Sequence, residues 1–150
     1  MVFLALGSNL GDRQANLAQA RMLLGESLGV ELHCSQVLET EAIGFDGEDF
    51  LNQVVAFESA ADPYELLDIC QAVEQQMGRS KHEARWDAQG RRIYENRIID
   101  IDILTAGDAV MHTKRLTLPH PQCRQRPYVA ALVATMEEEI IKQFLCLKSK

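Results

Sequence analysis

Apolar positions fall into two periods along the chain, and the alternation between them sets out the elements. "VFLALG", residues 2–7, is an unbroken apolar run of strand length. After it, Leu17, Ala20, Leu24 and Leu28 recur at spacings of three and four, one face of a helix, with Asp12 placed to cap its start. "VELHCSQVLE", residues 30–39, alternates and predicts a strand. "NQVVAFES", residues 52–59, predicts another, after a loop holding Gly44 and Gly47. "DPYE" then supplies an Asp cap, a proline at the first helical position and a glutamate at the third. Leu66, Ile69, Val73 and Met77 continue that helix's stripe and Gly78 ends it. A long polar loop from Ser80 to Glu95 leads to the strand "NRIIDIDIL", then to a turn at "TAGD" and a short strand at "AVMH".

The resulting order, β-α-β-β-α-β, predicts an α+β, ferredoxin-like core with an added hairpin strand and C-terminal helices. No linker, repeat or low-complexity segment interrupts it, which predicts a single domain over residues 1–150.

One strand breaks the pattern that predicts it. Aspartate is depleted in strands, and a buried carboxylate without a partner or a metal is costly, yet Asp100 and Asp102 sit inside an apolar run. Strand alternation puts Ile99, Ile101 and Ile103 on one face and both aspartates on the other, with Cα atoms roughly 6.5–7 Å apart. Their oxygens can converge on one cation or on two. An edge strand turning its polar face to water would show the same spacing.

Charge bears on that choice. The net charge of −7 disfavours nonspecific nucleic-acid binding. Residues 1–78 carry 2 basic and 13 acidic side chains, whereas residues 79–126 carry 10 basic and 6 acidic. The segment with the aspartate pair is therefore a local basic field, which suits a polyphosphate with its metal ions better than it suits DNA. No G-x-x-x-x-G-K-[ST] or G-x-G-x-x-G occurs, so phosphates would have to be held by arginines and metal. Arg79, Arg97, His120, Arg124 and Arg126 are the candidates, each of them individually also explicable as a solvated surface charge. The four cysteines, Cys34, Cys70, Cys123 and Cys146, are irregularly spaced and predict buried free thiols rather than a zinc site or a disulfide framework. Apolar runs are far short of a membrane span, and the start of the chain lacks the pattern of a signal peptide, so the expected location is cytoplasmic.

"ALGSNLGDR", "DFLNQVV", "VEQQMGR", "NRIIDIDIL" and "RLTLPHPQCRQRPYV" follow one another in an order that resembles the 6-hydroxymethyl-7,8-dihydropterin pyrophosphokinases of folate biosynthesis. The resemblance runs from about Phe3 to Leu132. It implies a transferase with ATP as co-substrate and two Mg2+ ions. The β,γ-pyrophosphoryl group would pass to the pterin hydroxymethyl, releasing AMP. The implied partners are small-molecule substrates, with no nucleic acid, membrane or obligate protein partner.

Carried over residue by residue, the resemblance implies Asp100 and Asp102 as magnesium ligands and Arg79 and Arg97 as phosphate-binding arginines, these four forming the catalytic group. Glu74, Arg115, Thr117, His120 and Arg126 resemble further ATP-contacting positions. For the pterin, Asn52 resembles the residue that reads the polar edge, Phe50 and Tyr128 the aromatic walls, and Thr40 and Ile43 adjoining contacts. The segment between Trp86 and Arg97 is longer than in compact members, so Arg85, Trp86, Arg91 and Arg92 receive no role on the family's catalytic loop, which is expected to close over the nucleotide. The tail "MEEEIIKQFLCLKSK" lacks the family's common proline-bearing end and is expected to cover the core differently. Two other readings use the same residues: a metal-dependent phosphohydrolase, and a non-catalytic ferredoxin-like ligand-binding module. A hydrolase has no need for the aromatic pair or for Asn52, and a binding module would keep its ligand without the aspartates.

Overall fold

The computed structural model describes residues 1–41, 48–78, 85, 86, 88, 92, 93 and 97–148. The described elements are β1 Val2–Ser8, α1 Arg13–Leu28, β2 Glu31–Cys34, β3 Leu38–Thr40, β4 Phe50–Phe57, α2 Pro63–Gln76, β5 Arg85–Trp86, β6 Arg92–Ile93, β7 Asp100–Ala106, β8 Met111–His112, β9 Thr117–Leu118, α3 Gln122–Gln125, α4 Pro127–Val133 and α5 Glu138–Lys148.

An antiparallel sheet in the order β2-β4-β1-β7 forms the centre, with β3 also paired to β4. The wholly buried β1 lies between β4 and β7, as its apolar run requires: a strand with neighbours on both sides and layers on both faces has no solvent face to serve. This is the split β-α-β arrangement predicted from the element order.

α1 and α2 cover one face. Leu17, Ala20, Leu24 and Leu28 are all buried, packed with Leu4, Leu6, Val55, Phe57, Leu66, Val73, Ile99, Ile101 and Ile103. Both predicted caps form, Asp12 accepting from the Ala15 N–H and Asp62 from the Tyr64 N–H. Gly78, at φ +97°, follows the C-cap of α2 as expected. Glu74 also turns inward on α2 and is buried.

α4 and α5 cover part of the opposite face, where Val129, Leu132, Val133, Ile140, Phe144 and Leu147 pack on Phe3, Ala5, Val54, Ala56 and Leu104. Phe3 and Phe144 meet edge to face at 5.0 Å between ring centroids. The tail expected to cover the core differently is thus an amphipathic helix closing this second layer.

Several expectations are corrected. The strand predicted over residues 30–39 is two strands, β2 and β3, divided at Ser35. Ser35 Oγ accepts the Val54 N–H at 2.9 Å and Ser35 N–H donates to the Val54 carbonyl at 2.8 Å, so the break is held by side-chain pairing to β4. The segment expected as one polar loop from Ser80 to Glu95 contains the paired strands β5 and β6. The thiols are all free, but only Cys70 and Cys123 are buried; Cys34 is half-buried and Cys146 exposed. Ile43 and Arg79 lie outside the described residues, as do Arg91 and the side chains of Arg85, Trp86, Arg92 and Arg124.

Candidate active site

Cross-strand register brings the sequence candidates together. Gly7 of β1 stands opposite Asn52 of β4 on one side and Asp100 of β7 on the other, while Ala5 stands between Val54 and Asp102 in the same way. Residues directly opposite share a face. Asn52, Gly7, Asp100 and Asp102 therefore lie on the α4–α5 side of the sheet, at its polar end. The isoleucines between and beside the aspartates fall in the opposite core, as alternation predicts. Gly7 keeps this row flat: a Cβ there would lie 3.4 Å from Asn52 Oδ1 and 3.5 Å from Phe50 Cδ1.

At the β4 end, Asn52 is buried and its Nδ2 donates to Thr40 Oγ1 at 2.8 Å and to the Leu38 carbonyl at 3.2 Å. The amide plane is thereby fixed. Thr40 acts through Asn52, and Phe50 is its strand partner across the β3–β4 register.

At the β7 end, Arg97 Nη1 reaches Asp100 Oδ1 at 3.4 Å, with the Arg97 side chain 12% exposed and that of Asp100 34%. Asp102 Oδ2 accepts from Gln122 Nε2 at 3.1 Å, and Gln122 Oε1 accepts from the Tyr128 hydroxyl at 3.3 Å. Burial raises the Tyr128 pKa above its ordinary value, so the phenol is neutral and can donate.

His120 is placed by its own backbone, whose N–H donates to the Leu104 carbonyl of β7 at 2.8 Å. Its Nδ1 accepts the Gln122 backbone N–H at 3.0 Å, which assigns the proton of the neutral ring to Nε2. Burial lowers the His120 pKa, the nearby Arg126 lowers it further, and Asp100 acts in the opposite direction. The ring is a neutral donor. The Arg126 guanidinium lies 5.9 Å from the centroid of the Tyr128 ring.

Three further candidates sit on α2 and the β8–β9 hairpin. Arg115 Nη2 pairs with Asp68 Oδ1 of α2 at 3.0 Å, and its guanidinium stacks 4.8 Å from the Tyr64 centroid. Thr117 is in the β8–β9 hairpin, and Glu74 is on the buried face of α2.

Apart from Asp12 as the cap of α1, the sequence assigned no role to individual residues of "GSNLGDR", and the structure gives them one. Asn9, fully buried, accepts the Arg97 N–H through Oδ1 and donates to the Glu48 carbonyl through Nδ2. Arg13 Nη1 donates to the Asp49 carbonyl at 2.7 Å, and Asn16 Nδ2 donates to the Leu10 carbonyl at 2.8 Å. The motif ties the ends of β1, β4 and β7 together where the site lies. A Ser-Asn pair directly ending an apolar strand was the available signal, since such residues at strand ends take up loose backbone groups.

A sequence model of the 7,8-dihydro-6-hydroxymethylpterin-pyrophosphokinase (HPPK) family matches residues 3–138 of this chain. The chain belongs to that family. Among similar proteins, the 2-amino-4-hydroxy-6-hydroxymethyldihydropteridine pyrophosphokinase of Porphyromonas gingivalis is 40% identical over 131 residues, covering 86% of this chain and 85% of its own length. That of Bacillus subtilis is 33% identical over 145 residues, covering 95% and 81%. The fold is also that of a solved HPPK-DHPS in complex with substrates, with a TM-score of 0.59 at 15% identity over 95% of this chain and 40% of that one. HPPK membership gives the polar end of the sheet a substrate class to be tested against.

Proposed function

We propose that this chain transfers the β,γ-pyrophosphoryl group of ATP to the hydroxymethyl group of 6-hydroxymethyl-7,8-dihydropterin, releasing AMP, at the polar end of its sheet. The observation that carries the placement is the row Asn52–Gly7–Asp100. It sets a fixed amide beside an aromatic ring at one end and a carboxylate pair at the other, two strand spacings or roughly 10 Å apart. A flat polar heterocycle needs aromatic faces and a few buried hydrogen-bond partners, and Phe50, Tyr128 and Asn52 supply those types. Its reactive arm would then extend toward Asp100 and Asp102.

The donor set fits magnesium. Among the described residues no group of three or more His, Cys, Asp or Glu side chains could cage a metal. Magnesium is commonly held by one or two carboxylates together with substrate phosphates, and Asp100 with Asp102 would supply the protein's share for two ions. When bound, magnesium neutralises phosphate charge and makes the hydroxyl a better nucleophile.

The protein's own groups do the rest. Arg97, tethered by Asp100, and Arg126 offer planar guanidiniums to phosphate oxygens, and His120 offers an Nε2–H without adding charge. Arg79 joins them in this reading, while Glu74, Arg115 and Thr117 take the remainder of the nucleotide. Ile43 and Thr40 complete the pterin side. As the hydroxymethyl oxygen bonds to the β-phosphorus, the β-phosphorus parts from the oxygen it shares with the α-phosphate, which leaves with AMP. Holding both substrates in line is the main contribution asked of the site. The same reading places the reaction in the cytoplasm and needs no protein partner. No described helix is long and apolar enough to cross a membrane.

Chromatography of protein, ATP, magnesium and the hydroxymethyl dihydropterin tests the proposal. AMP in proportion to pterin consumed is the expected result. ADP as the main product overturns it, and AMP formed equally well without pterin points to a hydrolase.

A further inference from the structure

Gln122 touches three of the site's groups at once. Its backbone N–H donates to His120 Nδ1, its Nε2 donates to Asp102 Oδ2 at 3.1 Å, and its Oε1 accepts from the Tyr128 hydroxyl at 3.3 Å. Resting on the pyrophosphokinase reading above, we propose that Gln122 is a positioning residue that couples the Tyr128 wall of the pterin pocket to the cation-binding carboxylate of Asp102.

The chemistry of an amide makes this coupling directional. A primary amide can donate to a carboxylate at one end while accepting from a phenol at the other, and it carries no charge. A lysine there would neutralise Asp102 and a glutamate would repel it. With Gln122, the donors run from Tyr128 through the amide to Asp102, so each bond polarises the next toward the carboxylate. Rotation about the Cβ–Cγ bond of aspartate is broad, and the amide selects one orientation for the carboxylate plane. A pterin stacked against Tyr128 would hold the phenol still, then the amide, then Asp102.

The hydroxyl of Tyr128 also gains a purpose. A phenylalanine would serve as a ring wall, whereas a half-buried phenol needs a partner for its hydrogen, and Gln122 accepts it while Arg126 lies against the same oxygen. By linkage, anything that tightens the Tyr128 end must tighten the cation at Asp102, and the cation must favour the pterin equally.

The test follows the melting-temperature shift produced by α,β-methylene ATP as magnesium is titrated. The methylene bridge replaces the linkage that pyrophosphoryl transfer would break, so no turnover intervenes. Gln122→Met keeps the length of the side chain but neither side-chain hydrogen bond. It should need about tenfold more magnesium for half the shift, the usual scale for losing a partner of a metal ligand. Tyr128→Phe, which removes one oxygen, should move the midpoint in the same direction by less. The double variant should go no further than Gln122→Met alone. A Gln122→Met midpoint within about twofold of wild type, or a double variant in which the two effects multiply, overturns the coupling. Should Gln122→Met fold poorly, Tyr128→Phe decides, and an unmoved midpoint there overturns the coupling. A wild-type protein with no magnesium-dependent shift overturns the metal reading of Asp102, and the coupling with it.

Discussion

Asn9 holds the peptide of Arg97 from both sides, its Oδ1 accepting the Arg97 N–H at 2.6 Å and its own N–H donating to the Arg97 carbonyl at 3.0 Å. Eighty-eight residues separate the two in sequence. The clamp fixes the start of β7 against the end of β1, so the backbone under the arginine that meets Asp100 is set before any ligand arrives.

Removing the side chain should therefore cost both stability and chemistry. Asn9→Ala leaves the half-buried Arg97 N–H and the carbonyl of the exposed Glu48 without this partner, a loss of about 1–2 kcal/mol. For a chain of this length each kcal/mol is worth roughly 2–4 °C in Tm. The expected outcome is a Tm lower by several degrees and a marked fall in kcat, while Asn9→Asp, which keeps the acceptor toward Arg97, falls between. A melting curve and AMP assay on both variants check it. Wild-type kcat in Asn9→Ala would show that the clamp serves the fold alone.

Arg97→Lys should fail to preserve activity. The Arg97 side chain is mostly enclosed and spans toward Asp100. A planar guanidinium can keep that contact with one edge and grip phosphate oxygens with another, whereas an ammonium is a point charge on a flexible stem. A kcat reduced by about tenfold or more is expected. Turnover at the wild-type rate would remove Arg97 from phosphate binding.

Much of this arrangement was legible from local periodicity. Alternation alone put Ile99, Ile101 and Ile103 in one core and Asp100 and Asp102 on the other face, and the stripes and caps of α1 and α2 formed as read. Contacts set by register between distant segments were not legible. Nothing within a window of a few residues tells that Asn9 will meet Arg97, or that Arg115 will turn to Asp68, 47 residues away. The break at Ser35 escaped for a similar reason, because its alternating neighbours look like one strand until β4 claims the serine hydroxyl. Gln122 carries no periodic signal at all, and only the placement of Asp102 and Tyr128 on either side of it reveals what it does.

His120 should make stability sensitive to acid. Its pKa is lowered in the folded chain, first by burial and then by Arg126, from an ordinary value of 6.5. Between the lowered value and 6.5 the unfolded chain takes up a proton that the folded one refuses, so stability falls as pH drops through that window and is level above it. In His120→Asn, the new side-chain oxygen can accept the Gln122 N–H without titrating. The Tm advantage of wild type over this variant should shrink as pH falls from about 7.5 to about 5.5. Melting curves across that range decide, and a difference that is constant or grows toward acid would contradict the assignment of a neutral ring.

The two aspartates should part company when each is made neutral. Like charges about 6 Å apart repel by roughly 3 kcal/mol at an effective dielectric near 20, and by less where water reaches them. In the absence of cations that repulsion opposes the fold, so relieving it should help. Asp102→Asn keeps an oxygen for Gln122 Nε2, and it should melt no lower than wild type without ligands. Asp100→Asn relieves the same repulsion but deprives the enclosed Arg97 of its charged neighbour, so it should melt somewhat lower. Both should lose most activity and most of the Tm shift produced by magnesium with an ATP analogue, because a neutral amide is a poor ligand for a hard cation. If these carboxylates served the fold alone, both variants would be destabilised without ligand and would keep the full shift. Paired melting curves separate the cases. A large drop for Asp102→Asn with an intact magnesium-dependent shift would take the strand's aspartates out of the chemistry.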